Sequence, residues 1–176
     1  MVLEVIIRAS LADKFLTATN VGNVLRQISR QGVMAVGMTM VILVGQIDLS
    51  VGAVVAFAAV LNAILLKQGW SIPLSILVTL AVSSLWGLFN GYVTAGFKVH
   101  SFLVTLATQT FIRGVTYTLV GGRPVGGLPK AFFPLGAGFL PLGFINLPYP
   151  VIYMLFFFAI GIYFLQCMPL GREIYS

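Results

Sequence analysis

Residues 43–52 read LVGQIDLSVG and set one aspartate, Asp48, into a stretch from Gln31 to Leu66 that carries no other charged side chain. An ionised carboxylate is costly in an apolar medium unless it is paired or hydrated. What surrounds Asp48 decides the fold. On either side the sequence stays apolar for nearly the ~20 residues that a bilayer-crossing helix needs. Gly45, Ser50 and Gly52 interrupt the run around the aspartate itself. The stretch reads as two membrane helices meeting at a short polar junction.

The composition agrees. Hydrophobic residues make up 59% of the 176 residues, charged residues only 8%, and the mean hydropathy is +1.04. A soluble domain carries roughly 25% charged residues, so this chain lacks the polar surface to cover a water-soluble globule. The expected fold class is all-α: a polytopic transmembrane helix bundle, part of a larger bundle, with about five spans in this chain. With Gly and Pro as punctuation, these fall near 28–47, 51–67, 72–95, 101–120 and 149–168.

Residues 1–30 are too polar to span. Val21, Val24, Leu25 and Ile28 lie at helical spacing opposite Asn23, Arg26, Gln27 and Arg30. That pattern fits either an interfacial helix or an extension of the first span. Six of the eight prolines fall in residues 121–150, a density no long helix tolerates. The expected order is therefore a polar N-terminal segment to 30, membrane helices over 31–120, a Pro/Gly-rich loop over 121–148 facing a partner or the membrane surface, a helix over 149–168, and a polar end at 169–176.

Several function classes are excluded. The ten Lys and Arg residues, which give a net charge of +6, are scattered singly rather than massed as a phosphate-binding face, so nucleic acid is not an expected partner. The sequence has no phosphate loop and no nucleophile elbow, and one histidine with one cysteine cannot build a metal cluster. No catalytic residue, metal or bound cofactor is expected. His100 reads as a solvated loop residue and Cys167 as a packing residue that cannot form an internal disulfide. The N-terminal residues, with Glu4 and Arg8, do not form a secretory signal.

Three groups of residues stand out. In the junction motif Gly45–Asp48–Ser50–Gly52, Asp48 or Ser50 can cap the next helix by accepting bonds from its first N–H groups. Alternatively, the junction is a broken helix facing a solute path. In SFLVTLATQTFIRGVTYTLV, Thr105, Thr108, Gln109, Arg113 and Thr116 share one helix face. That stripe either lines a path or forms polar contacts inside a bundle. Ser83, Gly87, Gly91 and Ala95, each four apart, form a small-residue ridge suited to close helix packing, with Asn90 beside it. Gly52, Ala56, Ala59 and Ala63 give a similar small face.

The stretch AVGMTMVILVGQIDLSVGAVVAF (35–57) resembles the signature of the ribose/xylose-type inner-membrane permease subunits of ATP-binding-cassette importers, with Gln46 where that family commonly has a second Gly. GLFNGYVTAGFKVHSFLVTLATQTFIRGV (87–115), LVGGRPV (119–125) and PLGREIYS (169–176) resemble further motifs of the same family in the same order. The resemblance implies a multi-pass protein of the bacterial inner membrane whose subunits pair, as homo- or heterodimers, to form a monosaccharide pathway. It implies an extracytoplasmic sugar-binding protein and a cytoplasmic ATPase that uses ATP, with coupling beginning at Gly171 and Arg172. Asp48, Asn90, Thr105, Gln109, Arg113 and Thr116 become candidates for lining the route. Another small solute, a furanone-type signal or a nucleoside, is an alternative substrate, and a non-transporting assembly protein or remnant is an alternative function. Relative to the family pattern the chain lacks a first helix ahead of Phe15 and stops as the coupling segment begins, as an internal fragment would. The resemblance puts LVGGRPV outside and Lys98 and Arg172 inside. Arg26, Arg30, Lys67, Arg123 and Lys130 then lie outside, against the usual excess of positive charge on the cytoplasmic side.

Overall fold

A computed structural model describes residues 17–141, 146–168 and Gly171. In chain order these form α1 (Ala18–Leu43), α2 (Val51–Lys67), α3 (Ile72–Phe97), α4 (Ser101–Val120), a 3-10 turn (Lys130–Phe132), the short α5 (Phe133–Ala137), β1 (Phe139–Pro141), β2 (Asn146–Pro148) and α6 (Tyr149–Cys167). The five long helices stand at the five expected places. Of these, α3 and α6 are long and apolar enough to cross a membrane, and only 11% of the most apolar window of each is buried. The core helix of a soluble protein would hide most of that surface. These helices present it outward, with Leu88 at 68% and Phe156 at 62% exposure.

α1 runs unbroken through residue 30, so from Ala18 onward the polar N-terminal stretch is an extension of the first long helix. Its earlier residues lie outside the described part. The same helix ends at Leu43 rather than at 47. Gly45 takes φ +72°, its N–H bonds to the Ile42 carbonyl, and the Gln46 N–H reaches back to the Val41 carbonyl. This pair of bonds is a Schellman ending, which needs a left-handed residue after the helix. Gly69 and Gly121 end α2 and α4 in the same way, with φ +87° and +58°. α3 differs: its left-handed residue is Lys98, at φ 54°, the only non-glycine with positive φ among the described residues.

The described residues divide into two compact units. One, Met38–Phe132, contains α2, α3 and α4, which alternate in direction. Its core is Ala53, Phe57 and the fully buried Ile112, flanked by Val54, Leu61, Val82, Trp86 and Val115. The Trp86 ring meets Phe57 edge-on at 6.2 Å and Phe111 at 5.8 Å, geometry that adds about 0.5–1.5 kcal/mol per pair beyond burial.

The other unit takes the chain up to Gly37 and from Phe133 on. Here the proline-rich connection is ordered in a way the sequence does not predict. α5 leads into a two-stranded antiparallel ribbon that pairs Phe139 with Pro148 and Leu140 with Leu147. The Tyr149 N–H closes the ribbon onto the Gly138 carbonyl at 3.1 Å. A Cβ at Gly138 would collide with the Pro134 carbonyl and the Tyr149 ring. Arg26 of α1 holds this module by donating to the Ala137 carbonyl and lying 4.1 Å above the Phe139 ring. Gly32 of α1 leaves room for Met154 of α6. Cys167, expected to pack, is exposed at the end of α6, where the helix stops.

Candidate functional site

The junction between α1 and α2 gathers the polar groups of the Met38–Phe132 unit. Asp48 Oδ1 accepts from the Ser50 N–H at 2.7 Å and from the Ser50 hydroxyl at 2.6 Å. This is an Asx turn, a local fold that an aspartate makes with the residue two ahead. The expected cap on α2 does not form. Ser50 is the N-cap residue but makes no side-chain capping bond, and its backbone is already near-helical at φ −78° and ψ −16°. Its hydroxyl donates backwards to Asp48 instead of accepting from the helix.

Ser50 is also the end of a directed chain. Thr108 Oγ1 donates to Asn90 Oδ1 at 2.7 Å, Asn90 Nδ2 donates to Ser50 Oγ at 3.0 Å, and Ser50 Oγ donates to Asp48. Every O–H and N–H along it points toward the carboxylate. Ser50, Asn90 and Thr108 are 1%, 6% and 4% exposed. Three helix segments are thereby tied to one acid, which answers how an apolar sequence accommodates Asp48: the carboxylate is hydrogen-bonded rather than ion-paired.

A second set of contacts comes from α4, whose residues 101, 105, 109 and 113 recur every fourth position and share a face. Ser101 Oγ accepts from the Ile47 N–H at 3.1 Å, and Thr105 Oγ1 accepts from the Leu49 N–H at 3.2 Å. With its amide nitrogen turned to the junction, Gln109 donates to the Leu49 carbonyl at 3.3 Å and accepts from Arg113 at 3.2 Å. The Ile47, Leu49 and Ser50 N–H groups and the Leu49 carbonyl of the junction, which belong to no helix, are thus satisfied by side chains.

Not all candidate residues meet here. A cleft of about 530 Å³ opens beside the junction and includes Gln46, Asp48, Asn90, Thr94, Lys98, Ser101 and Thr105. Arg113 and Thr116 line a different cleft of about 400 Å³, with Arg123. Thr116 bonds back to the Ile112 carbonyl of its own helix at 2.7 Å. The small-residue ridge is open at three of its four positions among the described residues. At Gly87 and Gly91 nothing stands within 4 Å of where a Cβ would be, Ala95 is exposed, and all three form a wall of the junction cleft. Gly52 likewise faces open space. Ser83 keeps a buried hydroxyl with no partner among the described residues. Gly171 packs on the backbone of Phe164 and Leu165, where a Cβ has no room, and Arg172 lies outside the described residues.

Three cleft residues and one clamp were not singled out from sequence. Ser101 and Thr94 look ordinary in a helix. Lys98 could have been found, since a charged residue stands where a helix-ending glycine belongs. Asn62, the one amide inside α2, donates to Ser75 and Thr79 of α3 at 3.3 and 3.4 Å. It is a lone polar residue in an apolar helix, the same signal that marks Asp48.

Residues 20–176 match the family described as branched-chain amino acid transport system / permease component. The chain is similar to the ribose import permease protein RbsC of Haemophilus influenzae, 36% identical over all of this chain and 54% of that protein. It is similar to RbsC of Bacillus subtilis, at 37% over 98% of the chain and 53% of that protein. It is also similar to the xylose transport system permease protein XylH of Escherichia coli, at 41% over 72% of the chain and 33% of that protein. The chain spans about half the length of the ribose relatives it matches. No solved structure matches it.

Proposed function

The chain belongs to the branched-chain amino acid transport system / permease component family, membrane proteins of ATP-binding-cassette importers, and on that premise we propose that it forms part of the route by which a monosaccharide crosses the bacterial inner membrane. The single observation that carries the substrate class is the similarity of the whole chain to import permeases named for ribose, with xylose permeases alongside. The chain contributes helices and a polar cleft, not chemistry. ATP is hydrolysed by a separate cytoplasmic ATPase, an extracytoplasmic protein delivers the sugar, and a second permease subunit completes the path. Asp48, Asn90 and Gln109 at the junction end of the α2–α4 unit, and Arg113 and Thr116 toward the other, are the groups we assign to this route.

The test is solute accumulation in vesicles that contain the permease with its ATPase and binding protein. Labelled ribose or xylose should accumulate only when both ATP and the binding protein are supplied. Accumulation of leucine with no sugar uptake would overturn the substrate class. Arg113→Leu should abolish sugar uptake while the chain still inserts, and unchanged uptake would remove Arg113 from the route.

A further inference from the structure

The cleft beside the junction carries more than the hydrogen-bonded aspartate. Asp48 uses Oδ1 for both bonds to Ser50, and Oδ2 has no partner among the described residues. Lys98 lines the same cleft and makes no ion pair with Asp48, the one acid among the described residues. Lys98 is also strained. α1, α2 and α4 each end on a left-handed glycine, whereas α3 ends on Lys98 at φ 54°, ψ 35°. A side chain in that region clashes with the following carbonyl, and glycine there does not. Backbone strain held at a cleft marks a position where the side chain itself is needed.

We infer that this cleft is a subsite for a neutral polyol, with Asp48 Oδ2 accepting from one hydroxyl and the Lys98 ammonium donating to another. The inference rests on the monosaccharide reading above and names the residues that hold the sugar. The two charges sum to zero, so an anion would gain Lys98 and meet Asp48, and a cation would meet the reverse. A zwitterion would match both but must lose hydration at two full charges. A diol presents a donor and an acceptor on neighbouring carbons and loses less. On the helix that ends at Lys98, the cleft lining lacks Cβ atoms at Gly87 and Gly91, which leaves a shallow apolar strip for the C–H face of a ring. The small-residue ridge then serves solute passage rather than helix packing.

Lys98→Gly separates this role from a structural one. If Lys98 only ends a helix, glycine should improve stability and leave transport alone. If it holds solute, glycine should raise the melting temperature by roughly 2–4 °C and still raise the KM for sugar uptake about tenfold in the complete importer. Gly91→Leu, which fills the cleft, should cut uptake at least as far with the protein still in the membrane. Wild-type KM in both variants would overturn the subsite and leave the sugar-permease reading standing. A wild-type importer that moves leucine and no sugar would overturn that reading and the polyol assignment with it. Loss of stability in Lys98→Gly would also defeat the inference, because it would show that the lysine is not strained.

Discussion

At the scale of single residues, Asp48 and Asn90 do different work. Interhelical hydrogen bonds in membranes average about 0.6 kcal/mol each, so the chain from Thr108 to Asp48 stabilises the unit only modestly. Breaking it is another matter, because a buried polar group left without a partner costs about 1–3 kcal/mol. Asn90→Leu strands the buried Thr108 hydroxyl and removes the donor to Ser50, which keeps its own bond to Asp48, and should cost about 2 kcal/mol, read as a lower unfolding midpoint in lipid or detergent. Asn62→Leu should be nearly neutral. Its amide donates through two long bonds, Ser75 already donates to the Ile72 carbonyl, and its own oxygen is buried and unpartnered. Equal losses in the two variants would mean that burial alone, not connectivity, sets the cost. Asp48→Asn keeps a carbonyl oxygen for Ser50 and should cost less than Asp48→Ala, a ranking the same unfolding measurement checks. Asp48 was legible as the lone acid in an apolar run. Its partners were not, because Asn90 and Thr108 lie far along the chain and only the packing of three helices brings them to Ser50.

At the scale of elements, helix ends govern the geometry. α2 has 17 residues, about 25 Å at ~1.5 Å per residue, against a hydrocarbon thickness of ~30 Å. A helix that short draws one end inward or thins the bilayer. The junction residues at its start then need the bonds that Ser101, Thr105 and Gln109 provide. Gly45 makes the junction possible by stopping α1. Gly45→Val places a β-branched residue at φ +72°, which should cost about 1–2 kcal/mol and loosen the hold of α4 on Ile47 and Leu49. Faster hydrogen exchange at those two amides would report it, and exchange unchanged from wild type would contradict it. The helices themselves were visible as apolar runs bounded by Gly and Pro. The stop at Leu43 was less so, because whether a glycine ends a helix depends on bonds that form only in the folded turn. The ribbon of β1 and β2 was hidden by prolines, which exclude long helices but leave short paired edges open.

At the scale of the molecule, the resemblance found in the motifs around Asp48, Asn90 and Arg123 is matched by the family comparison across residues 20–176. Motifs in order reveal a family because they preserve the junctions that packing needs. They do not reveal which groups face solute, since Thr105 and Thr108 share a stripe with Gln109 and yet are 3% and 4% exposed. Alternating helices place Asp48 and Lys98 at one end of the α2–α4 unit and Lys67 and Arg123, which line a common cleft, at the other. With Cys167 replaced by serine, a cysteine at 98 should react with an impermeant thiol reagent from the cytoplasmic side only, and one at 123 from the outer side only. The opposite pattern would reverse the orientation and agree instead with the positive charges.

The most direct measurement is solute protection in the cleft. In the Cys167→Ser background, Thr94→Cys puts a thiol on a residue that lines it, and its labelling rate is followed in the working importer. Ribose or xylose should slow labelling several-fold while leucine leaves it unchanged. Labelling indifferent to both sugars during active ATP hydrolysis would contradict the claim that this junction lies on a sugar route.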